Sequence, residues 1–374
     1  MITLPKHVLT LRPYQAGKPI SELAREKTLS RIVKLASNEN PLGPSPKAVA
    51  AVKQFADELN RYVDPHSTEL VTAIAKRFGR KPTQIVCAHG TDALLGYIIN
   101  AFTSEQDEVL TSEGTFIGIY VNTSKLARKL RLVPLKEYAF DLDALADSIS
   151  ADTKIIYLAN PNNPTGTMFT SDQFEAFMSR APKDVLVILD EAYDAYAAEH
   201  AGYTNGLRYH YENVIVARSL SKAYGLAGLR IGFAAGPERL IGALYKVKLP
   251  FEPNRLAQVA AMAALGDDEF LQRTLETNRR SLSRLTACFD NLHINYVNTA
   301  ANFVLMLLPS EEHTEWFFER CLDHGLIVRP AKPFGIVNSI RISTGTDDET
   351  AFAVNVIEQV WTDIMKLADM RACD

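Results

Sequence analysis

Lys222 lies in SLSKAYGLAGLR, with Ser219 and Ser221 before it and Gly225, Gly228 and Arg230 after it. The chain has 40 Lys and Arg in all, so any one lysine is ordinarily a solvated surface group. This one has unusual company. The two hydroxyls donate hydrogen bonds, the glycines let backbone approach a ligand, and the arginine adds a permanent planar cation. That set suits a phosphate beside a nucleophilic amine. Asp190 closes the apolar run VLVILD and is followed by Glu191, Ala192 and Tyr193. Such a carboxylate reads either as a turn or capping residue or as the floor of a pocket.

Two further segments share this position after an apolar run. NPNNPTG, residues 160–166, follows IIYLA; it reads as a strand-to-helix loop or as amides aimed at a ligand oxygen. IVCA leads into His89, Gly90, Thr91 and Asp92, then an amphipathic stretch carrying Leu94, Leu95, Ile98 and Phe102. Thr91 or Asp92 is expected to cap that helix, whose N–H groups form an anion site. The four segments together supply an amine, a carboxylate able to keep a ring nitrogen protonated, a donor to a ring oxygen and an anion cradle. These are the requirements of a pyridoxal 5'-phosphate site.

The elements that must position them are β-rich runs alternating with helical patterns from about Ile85 to Gly236: IVCA, EVLT, RLVPL, IIYLA, VLVILD, VIVA and GFAA. The expectation is an α/β fold with a mostly parallel seven-stranded sheet between helices, which gathers ligands outside the strands' carboxyl ends. Amphipathic helices over Arg255–Leu265, Glu269–Leu285 and Thr314–His324, with strands at NFVLML and SIRIS, predict a smaller α+β domain. The expected division is an N-terminal arm at 1–40, a large domain at 41–255 and the small domain at 256–374. Prolines at Pro5, Pro13, Pro19 and Pro41 suggest that the arm runs over the surface.

The net charge of -4 comes from 40 basic and 44 acidic residues spread along the chain, which leaves no electrostatic footprint for nucleic acid or an anionic membrane. Cys87, Cys288, Cys321 and Cys373 are isolated, so neither a metal site nor a disulfide framework is expected. No run of about 18 apolar residues is present. A cytoplasmic enzyme acting on small molecules is the expectation.

At these residues the sequence resembles the fold-type-I pyridoxal-phosphate aminotransferases, and within them the histidinol-phosphate aminotransferases. The cues run in order along most of the chain: LRPYQAGKPISEL, LASNENPLGPSP, LNRYVDP, HGTDA, NPNNPTG, DEAYDAY, SLSKAYGLAGLRIGF, ANFVL and SIRIS. The resemblance implies that Lys222 carries the cofactor as a Schiff base and that Asp190 partners the pyridine nitrogen. Asn163 and Tyr193 would meet the ring oxygen, and Phe116 would stack on the ring. Gly90, Thr91, Asp92, Ser219, Ser221 and Arg230 would hold the phosphate. Tyr62 would reach the cofactor phosphate of a neighbouring subunit, implying a homodimer with shared sites. On the substrate side the resemblance points to Tyr14, Asn40, Arg329 and Arg341, the last on the polar face of SIRIS.

Gly114 and Thr115 stand where the family often writes Pro-Thr, and Ala93 where it commonly has an acidic residue; both places are expected near the cofactor or substrate wall. The reaction implied is transfer of an amino group from histidinol phosphate to 2-oxoglutarate, with Lys222 as nucleophile and proton shuttle. Aromatic or other amino-acid aminotransferases and a threonine-phosphate decarboxylase-like enzyme are the alternatives.

Overall fold

The computed structural model describes residues 2–11 and 17–372. After a short strand, β1 (Val33–Lys34), the seven expected runs all form strands: β2 (Ile85–Ala88), β3 (Glu108–Ser112), β4 (Lys129–Val133), β5 (Thr153–Ala159), β6 (Leu186–Asp190), β7 (Val214–Ser219) and β8 (Gly232–Ala235). They make one sheet in the order β2-β8-β7-β6-β5-β3-β4. Strands β4, β3, β5, β6 and β7 are parallel neighbours, while β8 runs antiparallel to both β2 and β7. Every residue of β2, β3, β6, β7 and β8 is buried, as near-continuous apolar runs require when both faces of a sheet are covered.

The reversed strand decides the geometry of the site. Because β8 runs the other way, its first residue, Gly232, lies at the carboxyl edge, in register with both Ala88 and Ser219. Arg230, two residues earlier in sequence, is thereby delivered to the edge where the parallel strands end. The approach is close: a Cβ on Gly232 would stand 2.9 Å from the Thr91 nitrogen and 3.1 Å from the Arg218 carbonyl oxygen.

A second core packs around β9 (Tyr296–Val297), β10 (Phe303–Leu307), β11 (Leu326–Ile327), β12 (Arg329–Pro330) and β13 (Ser339–Ser343). Four of these form an antiparallel sheet, β12-β13-β10-β9, and β11 pairs in parallel with β1. The early segment is more deeply built in than its prolines suggest. Val33 and Leu35 belong to the second core, and Leu23 is buried against Ala36, Leu322 and Ile327.

The helix at Arg255–Leu265 has the expected bounds, fixed at its start by Asn254, whose side chain accepts from the Ala257 N–H. The next two start earlier or end later than their apolar stripes indicate. One spans Asp268–Asn291, its stripe continuing through Cys288 and Phe289. The other spans Glu311–Asp323 because Ser310 caps it by accepting from the His313 N–H at 3.3 Å.

Candidate active site

A cavity of about 270 Å³ opens at the carboxyl edge of the main sheet. Lys222 lies on its wall three residues past β7, and Nζ donates to the Ser37 carbonyl at 3.4 Å. Loss of solvent, reinforced by the cations of Arg341 and Arg230, pulls its pKa down to about 8 against the pull of Glu39 and Asp190. Asp190 ends β6 at the same wall. Its Oδ2 accepts from the Tyr157 hydroxyl at 2.8 Å and its Oδ1 from the Ala192 N–H at 3.1 Å. Burial pushes its pKa up to about 6, opposed by those two donors and by Lys222. At neutral pH the pair is mainly ionised, with a minority of neutral amine.

One end of the cavity is built for an anion. The helix Gly90–Phe102 starts directly after β2 with His89 as N-cap and no capping side chain. The expectation that Thr91 or Asp92 caps this helix does not hold: both are members of its first turn. The reason is Gly90, which takes φ +83° and lets the helix begin one residue sooner. Thr91, Asp92, Ser219, Ser221 and Arg230 all line the cavity. Gly90 stands behind them: a Cβ there would meet Arg230 Nη2 at 2.8 Å, so the guanidinium fills the place a side chain would need. The Asp92 carboxylate is held by Asn122 Nδ2 at 3.0 Å.

Phe116, Asn163 and Tyr193 also line the cavity. The Tyr193 hydroxyl accepts from Asn38 Nδ2 at 2.8 Å, and Lys222 Nζ lies 5.8 Å from its ring centroid. Asn163 Oδ1 accepts from Arg341 Nη1, and Arg341 Nη2 donates to the Ala36 carbonyl at 2.7 Å. Arg341 thus stands one residue behind the wall. Arg329 lies directly opposite it in the β12–β13 pairing, and both guanidinium groups lie over the ring of Phe334, at 5.8 and 5.5 Å. Among the described residues, no group of three or more His, Cys, Asp or Glu is arranged to hold a metal ion.

Residues 30–357 match the model of the aminotransferase class I and II family. The chain belongs to that family. This aminotransferase is 42% identical over 359 residues to histidinol-phosphate aminotransferase 2 of Hydrogenovibrio crunogenus, covering 95% of each chain. It is 39% identical over 362 residues to the histidinol-phosphate aminotransferase of Brevibacillus brevis, covering 96% of this chain and 99% of that one. The crystal structure of the histidinol-phosphate aminotransferase from Sinorhizobium meliloti, in complex with pyridoxal-5'-phosphate, is similar with a TM-score of 0.89 at 27% identity, covering 96% of this chain and 98% of that one.

Some residues singled out from the aminotransferase's sequence lie away from the cavity. Asn40 gives its Nδ2 to the Ala223 carbonyl at 2.9 Å and Thr274 Oγ1 at 3.0 Å, while its neighbours Ser37 and Glu39 line the wall. Tyr62 is exposed, its ring tilted against that of Phe251 with centroids 4.5 Å apart. Tyr14 is outside the described residues. Ala93, Gly114 and Thr115 do not line the cavity.

Two further features of the site have no local signature in the sequence. Tyr157 sits in the apolar run IIYLA of β5 and reads as core. Buried Glu191 and half-buried Asp194, close to Asp190 in sequence, pair with the buried Arg218 through contacts of 2.6 and 2.8 Å. The juxtaposition of DEAYD with an arginine at the end of the next strand was the available signal.

Proposed function

We propose that this enzyme is a pyridoxal 5'-phosphate-dependent histidinol-phosphate:2-oxoglutarate aminotransferase. The residues present fit the cofactor. The helix N-terminus, the two serines and Arg230 converge on one cradle whose donors suit a phosphate monoester, and Gly90 leaves the guanidinium room to sit there. Asp190, held by Tyr157 and Ala192, offers a carboxylate for a protonated ring nitrogen.

When bound, the cofactor supplies an aldehyde that bonds amines and a ring that withdraws electrons. The chain's own residues do the rest. Phe116 and Asn163 bound the space in which a flat ring is held. Lys222 Nζ, with its lowered pKa, is the base placed to take a proton from the α-carbon of an amine substrate. Arg341, behind Asn163, orients the substrate's anionic group.

The observation that carries the choice of substrate is Arg329 opposite Arg341 with Phe334 under both. Two permanent cations on one sheet face suit a dianionic phosphate better than a single carboxylate. The names of the relatives agree with this. With 2-oxoglutarate as acceptor, kcat/KM for histidinol phosphate is expected to exceed that for phenylalanine, which has no phosphate, by at least about tenfold, the effect of roughly one charge-assisted contact. A preference for phenylalanine, or carbon dioxide release from threonine phosphate, would overturn the assignment.

The same reading makes the enzyme a cytoplasmic homodimer. Cys87, Cys288 and Cys321 are buried free thiols, which suits a reducing compartment. No helix among the described residues is long and apolar enough to cross a membrane. Tyr62, 85% exposed and outside its own cavity, is available to the site of a second protomer. Light scattering on the eluting protein reads this directly, and a monomer would exclude a shared site.

A further inference from the structure

Phe116 and Asn163 both line the cavity, from different loops, one after β3 and one after β5, and each follows a residue that does not line it. Those two residues are Thr115 and Asn162, both fully buried. The Thr115 hydroxyl donates to Asn162 Oδ1 at 2.7 Å. Asn162 Nδ2 in turn donates to the Gly114 carbonyl at 2.9 Å and to Thr165 Oγ1 at 2.9 Å. One carboxamide therefore binds both the side chain and the backbone of the turn that carries Phe116, and also reaches along its own loop past Asn163.

The turn is held from the other side as well. The Thr115 N–H donates to the Tyr120 hydroxyl at 3.1 Å, and that hydroxyl donates to the Ser112 carbonyl at 2.8 Å. Gly114 takes φ +67°, a value closed to the proline that the resembling family often has there. In this chain a glycine turn, locked by Asn162, replaces the rigidity a proline ring would give. The Phe116 ring then packs so closely on Gly118 that a Cβ there would stand 2.3 Å from its edge, so a shift of the turn has no slack to absorb it.

We propose that Asn162 and Thr115 are a positioning pair that fixes the distance between the Phe116 wall and the Asn163 wall. The proposal rests on the reading that a pyridoxal ring lies between those walls. Neither residue touches the ring. Their effect passes through one peptide bond on each side.

The test uses the purified full-length protein loaded with pyridoxal 5'-phosphate, as wild type, Thr115→Val, Thr115→Ser and Asn162→Asp. Valine keeps the shape of threonine and removes the donor, serine keeps the donor, and aspartate keeps the acceptor but loses both amide donations. Thr115→Val is expected to raise the cofactor's dissociation constant about tenfold, the consequence of leaving a buried acceptor unsatisfied. Its visible circular dichroism per bound cofactor should fall about twofold or more as the ring loses its fixed orientation. Thr115→Ser should restore both quantities to near the wild-type values, which a simple packing role for the residue would not.

Asn162→Asp should lose dichroism in the same way, and it serves as the primary variant if the valine protein does not fold. Wild-type dichroism and affinity in a folded Thr115→Val or Asn162→Asp protein would overturn the positioning pair while leaving the cofactor assignment standing. A wild-type protein that binds no pyridoxal 5'-phosphate would overturn both.

Discussion

Lys222 and Asp190 must both be deprotonated within one cavity, the amine neutral and the carboxylate charged, and burial helps the first and hinders the second. The amine must be neutral to attack a carbonyl, and its pKa of about 8 leaves it about a tenth neutral at pH 7. Capture of added pyridoxal 5'-phosphate by the cofactor-free protein is therefore expected to quicken about tenfold from pH 7 to a plateau above about pH 9. Stopped-flow absorbance follows this rise, and a flat profile would mean that Lys222 is not the capturing amine.

Asp190 behaves in the opposite sense. Its folded pKa, about 6, lies above the ordinary 3.8, so the folded protein binds more protons than the unfolded chain between those values, and stability falls as pH rises through that window. Relative to Asp190→Asn, the cofactor-free wild type should lose on the order of 2–3 kcal/mol between about pH 4 and pH 7. Urea titrations at the two pH values measure it. Tyr157, which moderates this cost, was not legible in the sequence because a strand covered on both faces shows no alternation by which an inward hydroxyl could be told from core.

At the scale of elements, the anion cradle exists because three chain segments crowd onto one another where β2, β8 and β7 meet. Glycine at position 90 is doubly required there, by φ +83° and by the Arg230 guanidinium 2.8 Å from where a Cβ would be. Gly90→Ala is expected to push that guanidinium out of the cradle. Affinity for pyridoxal 5'-phosphate should then drop about ten- to hundredfold, while affinity for unphosphorylated pyridoxal changes little. Equal losses for both ligands would place the damage outside the phosphate end.

The ends of β6 and β7 are joined instead by charge, through Arg218, Glu191 and Asp194. Arg218→Leu leaves Glu191 buried without its partner and should cost about 3–5 kcal/mol, read as a fall in the thermal midpoint. The strands themselves were legible, because apolar runs bounded by turn residues are their direct signature. The first turn of the helix at Gly90 was misread, since Thr and Asp are good caps wherever they occur and only the backbone angle of Gly90 shows that neither serves as one here.

Over the whole molecule, the candidate site lies against the first core and is tied to the second by contacts whose partners are more than 150 residues apart. Arg341, which the resemblance put on the substrate side, reaches the cavity from the second core through Asn163, a partner 178 residues away that no local pattern indicates. Asn38 is less legible still, because nothing local distinguishes it from any loop asparagine. Its Nδ2 donates to the Tyr193 hydroxyl at 2.8 Å, its Oδ1 accepts from Ser343 Oγ at 2.8 Å, its N–H donates to that same oxygen at 2.9 Å, and its carbonyl accepts from Asn302 Nδ2 at 3.1 Å. It holds φ +54°, a left-handed value that asparagine tolerates and alanine resists. Two variants separate these contributions. Asn38→Gly keeps the backbone free to adopt the turn but removes the side-chain bonds to Tyr193 and Ser343, for an expected loss of about 1–3 kcal/mol. Asn38→Ala removes the same bonds and adds the left-handed penalty, a further 1–2 kcal/mol or so. Both should also weaken cofactor binding, since Tyr193 loses its donor. Thermal unfolding of the two proteins side by side gives the difference, and equal midpoints would mean that the turn at Asn38 relaxes when its bonds to the second core are cut.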